Sequence, residues 1–93
     1  MLAQVSMADL PLVLVAACAL VDPDGRVLLA QRPVGKKMAG LWEFPGGKVE
    51  KGERPEDTVT REMKEELGVT IKEACLTPFA FASHTYPDCH LLM

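Results

Sequence analysis

The segment from Gly47 to Val69 constrains what this chain can fold into and do more than any other part of the sequence. Glu53 follows Gly47 after five intervening residues, and Arg61 follows Glu53 after seven. The segment then continues with the residues Arg61-Glu62-Met63-Lys64-Glu65-Glu66-Leu67-Gly68-Val69. Acidic, basic and apolar positions alternate here in a pattern that is typical of a charged, amphipathic helix bounded by glycine.

Pro55 and Gly68 mark the two ends of that helix. Proline suits the first turn of a helix because its missing N–H is not needed there, and glycine ends a helix by taking a left-handed conformation. Glu56 and Asp57 place negative charge at the positive end of the helix dipole. The sequence therefore predicts a helix at residues 55–67. Its predicted apolar stripe consists of Val59, Met63 and Leu67.

Glu62, Glu65 and Glu66 stand at positions i, i+3 and i+4 of the predicted helix. This spacing places the three carboxylates within an arc of about 100°. Their repulsion costs about 0.2–0.5 kcal/mol per pair, a cost that a bound divalent cation reverses. Oxygen ligands without histidine or thiolate favour Mg²⁺, with Mn²⁺ as a substitute, over zinc. Taken alone, the carboxylates favour a solvated surface by about three to one.

The order of residues from Gly47 to Val69 matches every defined position of the Nudix box, Gly-x5-Glu-x7-Arg-Glu-U-x-Glu-Glu-x-Gly-U, where U is apolar. The preceding segment Leu41–Glu50 closely resembles the corresponding part of MutT-type proteins, the 8-oxo-dGTP diphosphatases, as does Leu28–Pro33. The resemblance covers most of residues 12–93. Because so long a pattern hardly arises by chance, it outweighs the interpretation as a solvated surface.

The resemblance implies catalytic and metal-binding roles within the box. Glu62, Glu65 and Glu66 would bind the catalytic Mg²⁺ or Mn²⁺, and the Gly47 carbonyl would add a ligand. Arg61 would orient the carboxylates. Glu53 would support the loop and the metal site.

The resemblance also implies a nucleotide substrate. Its predicted contacts are Arg32, Phe44, Gly46, Gly47 and Lys48. Lys48 would lie near the phosphates, whereas Arg32 and Phe44 would contact the nucleoside. Without the resemblance, Arg32 is more often a solvated charge and Phe44 more often a core residue.

The implied reaction converts a nucleoside triphosphate to a nucleoside monophosphate and pyrophosphate, with 8-oxo-dGTP as the expected substrate and mutation avoidance as the purpose. Mg²⁺ would neutralise phosphate oxygens and lower the pKa of an attacking water. Ordinary dNTPs, CTP, ADP-ribose and dinucleoside polyphosphates remain alternative substrates. A non-catalytic Nudix-like fragment that binds Mg²⁺ or nucleotide weakly is a further alternative.

The expected fold class is α/β (α+β), a mixed β-sheet with the box helix on one face. Leu12–Val21, the turn Asp22–Gly25 and Val27–Ala30 predict a β-hairpin with a largely buried first strand. A short strand at Leu41–Phe44 and a tight bend at Pro45–Gly47 follow. Trp42 is expected to pack inside. Further strands are predicted within residues 69–71, 76–86 and 89–93.

Residues 1–9 show no period and are expected to form a loose N-terminal extension, with a single Nudix domain at 10–93. The resemblance implies a longer domain, and no later segment supplies its second covering helix. We therefore expect a chain that is incomplete at its C-terminus. The full-length protein should be a monomer, and this shorter chain is prone to dimerisation or strand exchange through an open sheet edge.

The 93-residue length allows one domain, and a net charge of −3 argues against a polynucleotide partner. The apolar run Pro11–Val21 is shorter than the roughly 20 residues of a membrane span and lacks the basic residues of a secretory signal. Three widely spaced cysteines favour reduced thiols and a cytoplasmic location. His84 and His90 are isolated and receive no metal role.

Overall fold

The computed structural model describes residues 10–93, so the predicted extension at residues 1–9 lies outside the described residues. The elements are β1 (Leu12–Ala17), β2 (Ala30–Gln31), β3 (Trp42–Glu43), β4 (Gly46–Lys48), α1 (Pro55–Leu67), a 3₁₀ helix (Glu73–Cys75), β5 (Ser83–Thr85) and β6 (His90–Leu92).

Four strands form a mixed sheet in the order β4-β1-β6-β5. Strand β1 runs antiparallel to β4 and parallel to β6, and β5 runs antiparallel to β6. Strands β2 and β3 form a separate two-stranded ladder. Helix α1 packs on β1 and β4, and it is the sole α-helix within residues 10–93. The predicted mixed sheet with the box helix on one face is confirmed.

Helix α1 spans the predicted residues. Its C-terminal end is set by Gly68, which has a φ of 67° and donates its N–H to the Lys64 carbonyl at 3.0 Å. At the N-terminal end, the side chain of Asp57 accepts the N–H of Arg54 at 2.9 Å. Both ends therefore satisfy backbone groups that a helix leaves without internal partners.

The core is small and lies between α1 and β1. It consists of Ala16, Val59 and Met63, the last fully buried. Leu67, predicted to continue the apolar stripe, is 38% exposed, and that part of the prediction is wrong. Leu67 is the last residue of the helix, one turn beyond Met63, and it lies outside the core cluster.

The predicted hairpin between residues 12–21 and 27–30 is wrong in extent. Strand β1 ends at Ala17, and the two arms meet only at a single bridge between Val21 and Val27 and at an adjacent hydrogen bond. The reason is that both edges of β1 are taken by β4 and β6, so residues 27–30 cannot pair along it. Of the six residues of β1, only Ala16 is buried, so the first strand is also less buried than predicted.

The predicted bend at Pro45–Gly47 is confined to Pro45, because Gly46 and Gly47 belong to β4. They pair with Ala17 and Ala16 of β1. A Cβ atom on Gly46 would overlap the backbone of Ala16, so the two strands approach each other at a distance that only glycine allows. The glycines here serve strand pairing.

Trp42 of the β2–β3 ladder is more exposed than predicted. It is 63% exposed, which contradicts its expected inside position. The ladder stands apart from the four-stranded sheet and so offers little apolar surface for burial.

Downstream, residues 69–71 form no strand, and the predicted strand within 76–86 is limited to Ser83–Thr85. None of the helices within residues 10–93 is long and apolar enough to cross a membrane.

We expect Gly46→Ala to lower the free energy of unfolding by about 1–3 kcal/mol, because the added methyl meets backbone atoms that cannot move without shifting β1 from β4. Urea denaturation followed by circular dichroism measures this change. A variant as stable as the native chain would show that the two strands separate more easily than their spacing indicates.

Candidate active site

Arg61 on α1 connects the acidic residues of the box. Its Nε donates to Glu53 Oε2 at 2.8 Å, and its Nη1 donates to Glu62 Oε1 at 2.8 Å and to Glu65 Oε2 at 3.4 Å. Its Nη2 donates to the Lys48 carbonyl of β4 at 3.2 Å. The guanidinium therefore ties the helix to the neighbouring strand and fixes the orientation of two glutamates.

Glu53 precedes the helix and supports Arg61 from the other side. Its Oε1 accepts the backbone N–H of Glu50 and the hydroxyl of the fully buried Thr58, each at 2.9 Å. Arg61 first, and then these two donors, lower the pKa of Glu53 to about 2. Glu53 is thus ionised, and both of its carboxylate oxygens accept hydrogen bonds from other residues of the protein. Sequence reasoning missed Thr58, which looks like an ordinary helical residue.

The lowered pKa of Glu53 makes a pH-dependent contribution to stability. The carboxylate stabilises the fold fully above its ordinary pKa of 4.5, and this contribution is lost as pH falls toward about 2. We expect Glu53→Gln to be clearly less stable than the native chain at pH 6, with the gap narrowing below pH 4.5. Urea denaturation at several pH values measures the gap. A gap that does not change with pH would contradict the ion pair.

Glu62, Glu65 and Glu66 differ in their surroundings. The side chain of Glu62 is 16% exposed, whereas that of Glu65 is 60% exposed. Partial burial, the hydrogen bond that a protonated Glu66 donates to Glu62, and the charges of Glu62, Glu43 and Glu65 raise the pKa of Glu66 to about 7. The negative charges of its neighbours thus disfavour the ionised form of Glu66, and a bound cation would offset them.

The chemistry of these donors fits a divalent cation. As they stand, no three His, Cys, Asp or Glu side chains within residues 10–93 are gathered closely enough to hold a metal ion. A cation would offset the mutual repulsion of Glu62 and Glu66, and the exposed Glu65 is free to turn toward it. Carboxylate oxygens are the ligands that Mg²⁺ and Mn²⁺ prefer. These residues would hold either metal.

Gly47 lies directly opposite the carboxylate of Glu62. A Cβ atom at this position would overlap the Glu62 side chain, so the glycine leaves the space that the carboxylate occupies. The structure thus brings Gly47 of β4 together with Glu62 of α1, two of the residues that the resemblance implies as metal ligands.

We expect Gly47→Ala to weaken Mn²⁺ binding by at least about tenfold, because the methyl displaces the Glu62 carboxylate. Since the methyl meets a side chain, the loss of stability should be smaller than in Gly46→Ala, where it meets backbone. Electron paramagnetic resonance of Mn²⁺ measures the affinity. If Gly47→Ala bound Mn²⁺ with native affinity, metal binding would not require the observed position of the Glu62 carboxylate.

Of the predicted substrate contacts, Gly47 and Lys48 lie beside Glu62 and Arg61 of α1. Lys48 follows Gly47 on β4 with an exposed side chain, and its carbonyl accepts the hydrogen bond from Arg61. Arg32 Nε donates to the Lys37 carbonyl at 3.1 Å, and its Nη1 lies 3.4 Å from Glu43 Oε1. Sequence reasoning missed Glu43. Its position in the sequence could have identified it, because Glu43 stands directly before Phe44 in the segment that leads into the box.

His84 and His90 take no part in this cluster. His90 Nδ1 lies 2.6 Å from Thr85 Oγ1, its neighbour across β5 and β6. The His84 ring packs edge to face on Tyr86. The three cysteines are free thiols.

Comparison with known proteins gives consistent matches. The NUDIX domain profile matches residues 11–92. An 8-oxo-dGTP diphosphatase of Proteus vulgaris is 39% identical over 79 residues, covering 85% of this chain and 69% of that protein. A CTP pyrophosphohydrolase of Escherichia coli is 53% identical over 51 residues, covering 55% of this chain and 38% of that protein.

A solved structure has the same fold. The solution structure of the E. coli ORF135 protein superposes with a TM-score of 0.72 at 35% identity, covering 94% of this chain and 60% of that one. The chain thus spans 38% to 69% of the length of these three proteins.

Proposed function

This chain belongs to the NUDIX family, and on that premise we propose that it catalyses the Mg²⁺-dependent hydrolysis of a nucleoside triphosphate to a nucleoside monophosphate and pyrophosphate. The observation that carries the proposal is the set of glutamates on α1, which Arg61 orients opposite Gly47. Such a cluster of oxygen donors beside a strand backbone suits a cation bound to a phosphate chain.

Each residue of the site has a role in this proposal. Glu62, Glu65 and Glu66, with the Gly47 carbonyl, would hold the metal, which when bound supplies positive charge to the phosphates and acidifies a water. Arg61 is a positioning residue, since its hydrogen bonds determine where Glu62 and Glu65 lie. Glu53 keeps Arg61 in place from the opposite side.

The remaining contacts would bind the substrate. Lys48 and the backbone of Gly46 and Gly47 would face the phosphates from β4, which packs against α1. Arg32 and the half-exposed Phe44 would contact the nucleoside. The phosphates and nucleoside would thus lie between the β2–β3 ladder and the helix.

We favour 8-oxo-dGTP as the substrate, and hence the removal of oxidised nucleotides. The extended similarity to the Proteus vulgaris 8-oxo-dGTP diphosphatase supports this choice. CTP is a second candidate, because the shorter match to the E. coli CTP pyrophosphohydrolase is the more similar of the two, at 53% identity.

A panel of 8-oxo-dGTP, dGTP and CTP tests the choice of substrate. We expect kcat/KM for 8-oxo-dGTP to exceed the values for the other two by at least about tenfold, since a site that hydrogen-bonds one base rejects others strongly. A preference for CTP would replace the first candidate with the second. Release of orthophosphate instead of pyrophosphate would contradict the proposed point of cleavage.

A further inference from the structure

The ladder of β2 and β3 places two opposite charges on one face. In its register, Ala30 pairs with Glu43 and Gln31 pairs with Trp42. Because side chains alternate along a strand, Glu43 shares a face with Ala30 and with the following Arg32, whereas Trp42 points to the other face. Arg32 and Glu43 are therefore diagonal neighbours across the ladder, a spacing that long side chains can bridge.

The structure holds Arg32 at several points. Its guanidinium reaches Glu43 Oε1 at 3.4 Å and the Lys37 carbonyl at 3.1 Å. Its backbone N–H donates to the Leu41 carbonyl at 2.8 Å. The Arg32 side chain is 34% exposed and that of Glu43 is 46% exposed, so both are open to a ligand while already paired.

We propose that Glu43 is a positioning residue that holds Arg32 toward the nucleoside and so fixes where the base lies relative to the cleaved diphosphate. The inference rests on the proposed function, because it takes Arg32 as the nucleoside contact. Glu43 acts through Arg32 and is not itself a contact for the phosphates.

Isothermal titration calorimetry provides a readout of ligand binding that needs no turnover. The probes are dGMP, which has a nucleoside, and inorganic pyrophosphate, which has none, each titrated in the presence of Mg²⁺.

The variants are Glu43→Gln, Glu43→Asp, Arg32→Ala and the double variant Arg32→Ala/Glu43→Gln. Glu56→Gln is the matched control. Glu56 is 41% exposed and lies 3.4 Å from Arg54, so it is an ion-paired glutamate of similar exposure on the helix. Urea denaturation of every variant separates a loss of binding from a loss of fold.

We expect Glu43→Gln to weaken dGMP binding about fivefold and to leave pyrophosphate binding unchanged. Arg32→Ala should show a similar loss, and the double variant should be no weaker than Arg32→Ala, because the two residues act as one unit. Glu43→Asp should recover part of the affinity, and Glu56→Gln should bind as the native chain does.

Native dGMP affinity in Glu43→Gln, equal losses for dGMP and pyrophosphate, or fully additive losses in the double variant would each overturn the inference. If the native chain releases pyrophosphate while Glu43→Gln binds normally, this inference fails and the proposed function stands. If the native chain neither binds dGMP nor releases pyrophosphate, both fail.

Discussion

Replacing Glu65 by glutamine is expected to reduce Mg²⁺-dependent turnover by more than about 100-fold while leaving the fold intact. The side chain of Glu65 is 60% exposed, and its one hydrogen bond within residues 10–93, to Arg61, is long at 3.4 Å. The fold therefore depends little on this carboxylate. Glutamine keeps the size of the side chain but removes the charge that a cation needs.

Pyrophosphate release measures the effect, and circular dichroism verifies the fold. Lys51→Ala is the control, because Lys51 lies in the exposed turn before the helix and outside the defined positions of the box. Glu50 lies 3.7 Å from Arg61, a weak contact, and its substitution should also have little effect. Unchanged turnover in Glu65→Gln would contradict the assignment of Glu65 to the metal.

Arg61→Ala is expected to damage both activity and stability. The substitution removes the hydrogen bonds to Glu53, Glu62 and Glu65 and the link to the Lys48 carbonyl. Glu53 and Glu62, which are 17% and 16% exposed, would then lie close together without a counter-charge. We expect turnover to fall by more than about 100-fold and the urea midpoint to fall markedly.

Two further variants show whether the lost activity of Arg61→Ala comes from misplaced glutamates or from a general loss of stability. Arg61→Lys keeps the charge but not the planar set of donors, so it should recover stability better than turnover. Arg54→Ala removes a similar arginine, paired with Asp57 and Glu73 at the start of α1. It should lower stability and leave Mn²⁺ affinity unchanged. Equal Mn²⁺ affinity in the native chain and Arg61→Ala would show that Arg61 does not position the glutamates.

The sequence was sufficient to predict the helix and its carboxylates because the signals are local. Pro55 and Gly68 act on the backbone directly, and the spacing of Glu62, Glu65 and Glu66 places them together on any helix. The mixed sheet followed from the resemblance. The roles of the individual site residues stay predictions until the variants are measured.

Features that depend on distant residues could not be predicted. Gly46 and Gly47 form a strand only because β1 lies beside them, and their local chemistry favours a bend. The pairing of Arg32 with Glu43 joins residues eleven apart through a register that sequence does not specify. The exposure of Trp42 likewise depends on which strands join the main sheet.

The most direct test of the central claim is pyrophosphate release from 8-oxo-dGTP by the purified chain, with Mg²⁺ and with EDTA. We expect one pyrophosphate per nucleotide consumed when Mg²⁺ is present and none when EDTA removes it. Release that continues in EDTA, or the absence of release with Mg²⁺ from every nucleoside triphosphate in the panel, would contradict the claim that the glutamates of α1 form a metal-dependent hydrolytic site.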